Sequence, residues 1–362
     1  MAENPHTLWN NPRAFMGFVG FVKLIQTTGI VPSGDNPINI VHDPYTIRAT
    51  AADINLTQEI TKEDVIDSRY DKSVYRLGPK LVDGNFSFPV LYEIPTAGVS
   101  DLTLFEVLYR YAVTRDGIGG LSTFDLDVKY DASGNANFRY KGCLVNTWKF
   151  SVAQSEVVKC DIDIIGIDRV PGDLTTPLRK QLPNCVTGED DLQDPDAIGT
   201  SRIVTWNDAR VEFSGGRIAT PIGGQYVRTF EVSITNDAER FYSLNTHLIA
   251  QSIAPRKRDI SGSMTLIGRH PDLADVAVLN EDNCTETSNI LFGYATPSTG
   301  NCIPSTFNVT LPNVVFKIET MSLTNDIFES TVAWDSLPSA GIGVCDPLLN
   351  IGDAEFSPQP PI

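Results

Sequence analysis

Two stretches of this chain repeat at a separation of 178 residues, and that repetition constrains the fold more than any other feature. Ile54-Asn55-Leu56-Thr57-Gln58-Glu59 matches Val232-Ser233-Ile234-Thr235-Asn236-Asp237 in residue type at every position. Further on, Lys80-Leu81-Val82-Asp83-Gly84-Asn85-Phe86-Ser87-Phe88 aligns with Arg258-Asp259-Ile260-Ser261-Gly262-Ser263-Met264-Thr265-Leu266. The separation is the same, no gap intervenes, and only Leu81 against Asp259 is a clear mismatch of type. A weaker third pair, Lys149-Phe150-Ser151-Val152 against Thr320-Met321-Ser322-Leu323, has a shifted separation. Chance agreement of single apolar positions is common in β proteins. A shared register over two anchors, with the same order of elements after each, points to tandem duplication.

The repeated unit reads as strand. Apolar and polar residues alternate in Ile54–Thr57, Phe124–Tyr130, Lys159–Ile164 and Phe307–Leu311, which puts one face of each strand into a core. The turn residues Asp131 to Asn135 make 124–152 a hairpin. Gly84 and Gly262 fall at the same place in a strand, where glycine marks a bulge or a close backbone approach. Helix signals are few: Ser100-Asp101 caps Leu102–Val113, with Leu102, Phe105, Leu108 and Tyr109 on one face, and Pro271-Asp272 opens a shorter one over Leu273–Leu279. With 27 Gly and 23 Pro in 362 residues, a helical bundle or coiled coil is excluded. The expected fold is all-β with minor α: tandem β-sandwich or barrel domains, each flanked by one helix. The boundaries predicted are an N-terminal arm and first strand (1–44), domain 1 (45–170), a Pro- and acid-rich linker (171–200), domain 2 (201–340) and a C-terminal arm (341–362).

Nothing in the sequence builds an active site, so no enzymatic activity is expected. There is no GxSxG, and the four histidines show neither HxxxH nor HExxH spacing. Six cysteines without a CxxC give no metal framework and no disulfide framework. Cys143 and Cys160 read as buried thiols. Cys284 and Cys302 flank a loop in which they can approach each other, and in a cytosolic protein that pair is reduced by default. The pairs Asp125/Asp127 and Asp161/Asp163 have the i, i+2 spacing of a polar strand face, which also brings two carboxylates together. The acidic run Glu189-Asp190-Asp191 lacks the order of a calcium loop. No cofactor and no metal is expected. No apolar run is long enough to span a bilayer, since Ala14–Ile25 is interrupted by Lys23, and the N-terminus lacks the basic region of a secretory signal. A net charge of −17 opposes binding to phosphate backbones while serving solubility.

The strand Ile54–Glu59, the strand Lys80–Phe88, a following helix, and Tyr140-Lys-Gly142-Cys-Leu-Val-Asn-Thr-Trp148-Lys-Phe-Ser-Val152 resemble the major tail tube proteins of long-tailed bacteriophages. The second repeat keeps the Arg258–Leu266 strand and replaces the Gly-Cys segment by Asn313-Val-Val-Phe316. Related tube folds occur in distal tail proteins and type VI secretion tubes. The resemblance implies a structural subunit of the virion tail, assembled in the host cytoplasm. Its rings, six domains around the axis and hence trimeric and pseudo-hexameric for a duplicated chain, would stack into a conduit for genome delivery. The implied partners are further copies of the chain, other tail proteins at the tube ends, and the tape-measure protein and viral DNA in the lumen. Neither specific DNA binding nor membrane binding by the subunit is implied. The rival reading is a tail-tip or other virion β-sandwich module recognising a host-surface glycan. The residues expected at assembly interfaces are Phe15, Phe18 and Phe21, apolar at a terminus, and the basic cluster Arg256, Lys257 and Arg258, facing acidic residues of a neighbour. A long loop over Thr61–Lys80 and the C-terminal arm are expected to reach between rings.

Overall fold

The computed structural model describes residues 21–25, 45–63, 74–90, 104–113, 121, 123–129, 137–171, 203–215, 218–223, 226–242, 249–250, 252–268, 288–295, 306–324 and 327–336. The first half comprises β1 (Phe21–Ile25), β2 (Tyr45–Arg48), β3 (Ala51–Glu63), β4 (Val74–Pro89), helix α1 (Leu104–Val113), β5 (Phe124–Lys129), β6 (Asn137–Ala153), β7 (Lys159–Gly166) and β8 (Asp168–Pro171). The second comprises β9 (Ala209–Gly215), β10 (Ile218–Gly223), β11 (Val227–Thr235), β12 (Ala238–Phe241), β13 (Ser252–Pro255), β14 (Asp259–Ile267), β15 (Ser288–Ala295), β16 (Thr306–Thr324) and β17 (Ile327–Ser336). The chain is all-β with minor α, as its alternation predicts.

The alternation has its expected cause. Cys160, Ile162 and Ile164 of β7 and Phe230, Val232 and Ile234 of β11 are buried, while the residues between them face outward or are half-buried. The hairpin expected over 124–152 forms as β5 and β6, antiparallel, with Asp127 opposite Arg139. In α1 the stripe Phe105, Leu108, Tyr109 and Ala112 is buried, but so are Glu106, Tyr111 and Val113. A helix buried on nearly every side lies inside a core rather than on a surface. Phe105 meets Trp148 of β6 at 5.3 Å between ring centroids and Phe307 of β16 edge-on at 4.8 Å. The one described helix is thus packed between both halves, and residues of both halves share one continuous apolar core. The helix expected over Leu273–Leu279, most of the linker and the C-terminal arm lie outside the described residues.

The two halves carry the same ladder order. In the first it runs β2-β1-β5-β6-β7-β4-β3, and in the second β10-β9-β15-β16-β17-β14-β11. Registers agree as well as order. Ile54 pairs with Gly84 and Val232 with Gly262; Leu56 pairs with Val82 and Ile234 with Ile260. Each of these four positions recurs 178 residues on. The third, shifted pair is equally consistent: β6 is bulged between Val145 and Thr147 where it meets β7, and β16 is bulged between Phe316 and Ile318 where it meets β17. The strand β1, from the segment 1–44, belongs to the first ladder as β9 does to the second.

One expectation is corrected. The segment Thr61–Lys80 is not one long loop, because Thr61–Glu63 continues β3 and Val74–Lys80 begins β4, paired down to Glu63 opposite Val74. Its counterpart in the second half is the separate ribbon β12–β13, where Ala238 pairs with Pro255 as Ile60 pairs with Leu77.

Gly84 and Gly262 explain why glycine stands at both anchors. A Cβ on Gly84 would overlap the Asp53 carbonyl oxygen, and one on Gly262 would overlap the carbonyl of Glu231 and the Trp334 ring. Asp53 and Glu231 are themselves repeat counterparts, so both backbones approach in the same way. Gly84→Ala and Gly262→Ala are each expected to destabilise the chain by about 1–3 kcal/mol, read as a lowered urea midpoint. An unchanged midpoint in either would show that the approach is relaxed in solution.

Candidate assembly interface

The halves join through a strand seam. β11 adds to the free side of the upper part of β6, with Thr229 opposite Ala153 through to Thr235 opposite Thr147. The Gln154 N–H donates to the Arg228 carbonyl (2.9 Å) and the Asn236 N–H to the Asn146 carbonyl (2.8 Å), so the pairing continues past the end of β6 on one side and past the end of β11 on the other. On the inner face Phe230, Val232 and Ile234 oppose Val152, Phe150 and Trp148. On the outer face Lys149 pairs with Glu231 at 2.8 Å. Such exposed pairs set register more than they stabilise.

At the end of the seam Asn236 is buried and satisfied. Its Nδ2 donates to the Ala112 carbonyl (2.9 Å) and the Val145 carbonyl (3.1 Å), while its Oδ1 accepts from Arg258 Nε (3.2 Å). Arg258 also donates to the Val113 carbonyl at 2.7 Å. Ala112 and Val113 close α1, where helix carbonyls lack intrahelical donors and a cation is favoured by the helix dipole. Two residues of the second half therefore cap the helix of the first.

Beyond the seam, β12 and β13 form an arm laid across the first half. The Arg240 guanidinium donates to the Gly166 carbonyl (3.0 Å), the Val82 carbonyl and Asp83 Oδ1 (2.6 Å). Tyr242 donates its hydroxyl to the Lys80 carbonyl at 3.2 Å. Ala238 and Ile253 of the arm pack with Leu121, Leu144, Ile165 and Ile167.

The sequence-predicted interface residues distribute unevenly. Phe15 and Phe18 lie outside the described residues. Phe21 is in β1, its backbone opposite Arg48 and Lys129. The basic cluster sits at the foot of the arm with partners inside the chain: Arg256 pairs with Glu239, Lys257 with Asp259 at 2.6 Å, and Arg258 turns inward to α1. The Lys257 pKa is raised by its hydrogen bond to Asp259. The acidic run Glu189–Asp191 lies outside the described residues. Sequence reasoning missed Asn236 and Arg240. The available signal was position, since Asn236 follows the last apolar residue of a repeat anchor, where Gln58 stands in the first copy.

The carboxylate pairs are built into the sheet. Asp127 is buried and accepts from Nε (2.7 Å) and Nη2 (2.9 Å) of Arg139, rather than lying on a solvated strand face. Asp125 accepts the Gly142 N–H at 2.9 Å. Burial raises the pKa of Asp125 and, with a smaller contribution from neighbouring Asp161, that of Asp163. Cys143 and Cys160 are buried free thiols whose ionisation burial suppresses. Trp148 and Trp334 are core residues, whereas Trp206 is in a turn and exposed.

A family model described as phage tail tube protein matches residues 15–322 of the chain. A search of curated proteins finds no match.

Asn236→Ala leaves the helix-end carbonyl of Ala112, the β6 carbonyl of Val145 and the Arg258 Nε without this partner, and is expected to cost about 2–4 kcal/mol, whereas Gln58→Ala at the counterpart position costs under about 1 kcal/mol. Equal urea midpoints for the two variants would refute the capping role. The raised Asp125 and Asp163 carboxyls bind protons more readily in the folded than in the unfolded chain. Their contribution therefore favours folding as pH falls towards the carboxylate range and is lost as pH rises to neutrality. Asp163→Asn should raise the denaturation midpoint at pH 7 and flatten its pH dependence, the effect staying below about 1 kcal/mol because the side chain is half exposed. A lowered midpoint at pH 7 would reverse the sign assigned.

Proposed function

Because the chain belongs to the phage tail tube protein family, whose members are structural virion-tail subunits that assemble into tubes, we propose that three copies close head to tail into a ring of six equivalent units, and that the rings stack into a conduit for the genome. The observation that carries this reading is the seam of β11 on β6. It joins two different surfaces of one repeated unit, so each unit added presents the surface the next one needs. Contacts of this kind close into a ring when the rotation divides a full turn. With two units per chain, a sixfold arrangement needs three chains.

In this reading 45–170 and 201–340 are two tube domains, with an N-terminal arm and first strand at 1–44, a linker at 171–200 and a C-terminal arm at 341–362. The terminal arms, with Phe15 and Phe18, and Phe21 at the start of β1 make ring-to-ring contacts, and exposed Arg256 and Lys257 help to set register between subunits. Viral DNA and the tape-measure protein occupy the lumen. The net charge of −17 supports passage without adhesion, because carboxylates repel phosphates and there are few counterions to release. Other tail proteins close the tube ends, the subunit binds no membrane, and assembly takes place in the host cytoplasm. The glycan-binding alternative is weakened by Trp148 and Trp334, which are sealed in the core and offer no stacking platform.

Negative-stain microscopy of the purified chain is expected to show rings or tubes with a central pore, and native mass spectrometry a trimer and its multiples. Deleting residues 1–20 should leave rings but shorten stacks. A twofold dimer, or a monomer under all assembly conditions, overturns the proposal.

A further inference from the structure

The seam inside the chain has a counterpart that the chain does not fill by itself. β3 stands to the first half as β11 stands to the second, 178 residues apart, and both pair with their neighbouring strand in one register. Residues 318–324 of β16 stand to β17 as residues 147–153 of β6 stand to β7, with the same bulge before them. Among the described residues, the ladder of β3 is with β4 and that of 318–324 is with β17. We propose that β3 of one copy adds to β16 of the next copy, reproducing between chains the seam that β11 and β6 make within one. This rests on the ring-forming reading above and specifies its lateral contact.

The equivalence dictates the register. Transferring Thr229 opposite Ala153 and Thr235 opposite Thr147 gives Ala51 opposite Thr324, Asp53 opposite Ser322, Asn55 opposite Thr320 and Thr57 opposite Ile318. The sequence pattern agrees. Within the chain, apolar residues oppose apolar ones at alternate positions, and Glu231 and Ser233 oppose Ser151 and Lys149. Between chains Ala52 and Ile54 fall opposite Leu323 and Met321, while Asp53 and Asn55 fall opposite Ser322 and Thr320. A slip of one residue in either direction would set Ala52 and Ile54 against polar residues. Leu56 opposite Glu319 and Thr57 opposite Ile318, both next to the bulge, are the poor matches.

A second observation concerns the arm. Ile60 and Leu77 pair across the distal part of β3–β4, and each is 57% exposed. Their counterparts are Ala238 and Pro255 of the arm, and Ala238 packs in the apolar cluster with Leu144. The counterpart of Leu144 is half-buried Val315. The distal hairpin, expected from sequence to reach between rings, instead reaches sideways: it lies on the next copy as β12–β13 lies on the first half, covering two exposed apolar side chains.

Cysteine pairs in the full chain test the register. The bonds from Gln154 to Arg228 and from Asn236 to Asn146 turn the even-numbered residues of β11 towards β6, so odd-numbered counterparts form the close, non-hydrogen-bonded pairs that accept a disulfide. Asn55→Cys with Thr320→Cys, and Asp53→Cys with Ser322→Cys, should cross-link between chains on oxidation of assembled protein, giving dimers and closed trimers on non-reducing gels. The slipped combination, Asn55→Cys with Ser322→Cys, should give only background. As a check free of cysteine chemistry, Ala52→Pro removes an N–H that points away from β4. It should leave the circular dichroism unchanged and abolish rings. Rings that form without cross-linking in the matched pairs, or that persist in Ala52→Pro, overturn the register while leaving the tube reading intact. A cross-link within single chains overturns it too. Absence of rings in the unmodified chain overturns both.

Discussion

A β-strand has two hydrogen-bonding edges, and the fold is organised around one strand that uses both along most of its length. On one edge β6 carries β8 and β7 in succession, and on the other β5 and then β11. Buried backbone groups must find partners, and a long strand without them is a template for association. The seventeen residues of β6 meet this demand only by recruiting β11 from the second half. Removing that strand would open a backbone edge above Trp148 and Phe150, the side chains on which α1 rests.

Duplication and packing therefore explain each other. The helix is apolar around most of its circumference because it has a wall on each side: Trp148 and Phe150 from β6, Tyr294 and Phe307 from β15 and β16. Its open end is closed by Asn236 and Arg258, which come from the other repeat. Each half is a complete ladder, yet the helix of the first is finished by the second.

The ladder was legible because it obeys two short rules, alternation with period two and a constant separation of counterparts. Val232 opposite Gly262 follows from Ile54 opposite Gly84 without any knowledge of tertiary contacts. What stayed hidden depends on residues far apart in sequence. Arg258 reads as one of three surface cations, and only the folded chain brings it to the carbonyl of Val113. Asp127 reads as the polar face of a strand, but Arg139 opposite it allows the carboxylate to be buried as an ion pair. The distal hairpin read as a loop because no apolar-polar alternation carries through Ile60–Glu63 and Val74–Leu77. Ile60 opposite Leu77 is apolar where solvent would favour polar residues.

The same pairing logic extends to charge. The cations of the seam and arm are engaged within the chain: Lys149 with Glu231, Arg240 with Asp83, Arg256 with Glu239, Lys257 with Asp259. Each pair is locally neutral, so these cations do not form a basic track along which a phosphate backbone could run. The net −17 remains as the field seen at a distance, screened over about 8 Å at physiological ionic strength. For a protein whose proposed work is to let DNA pass, that division is physically economical. Short-range attraction holds neighbouring strands in register, and the longer-range field opposes any phosphate that would bind.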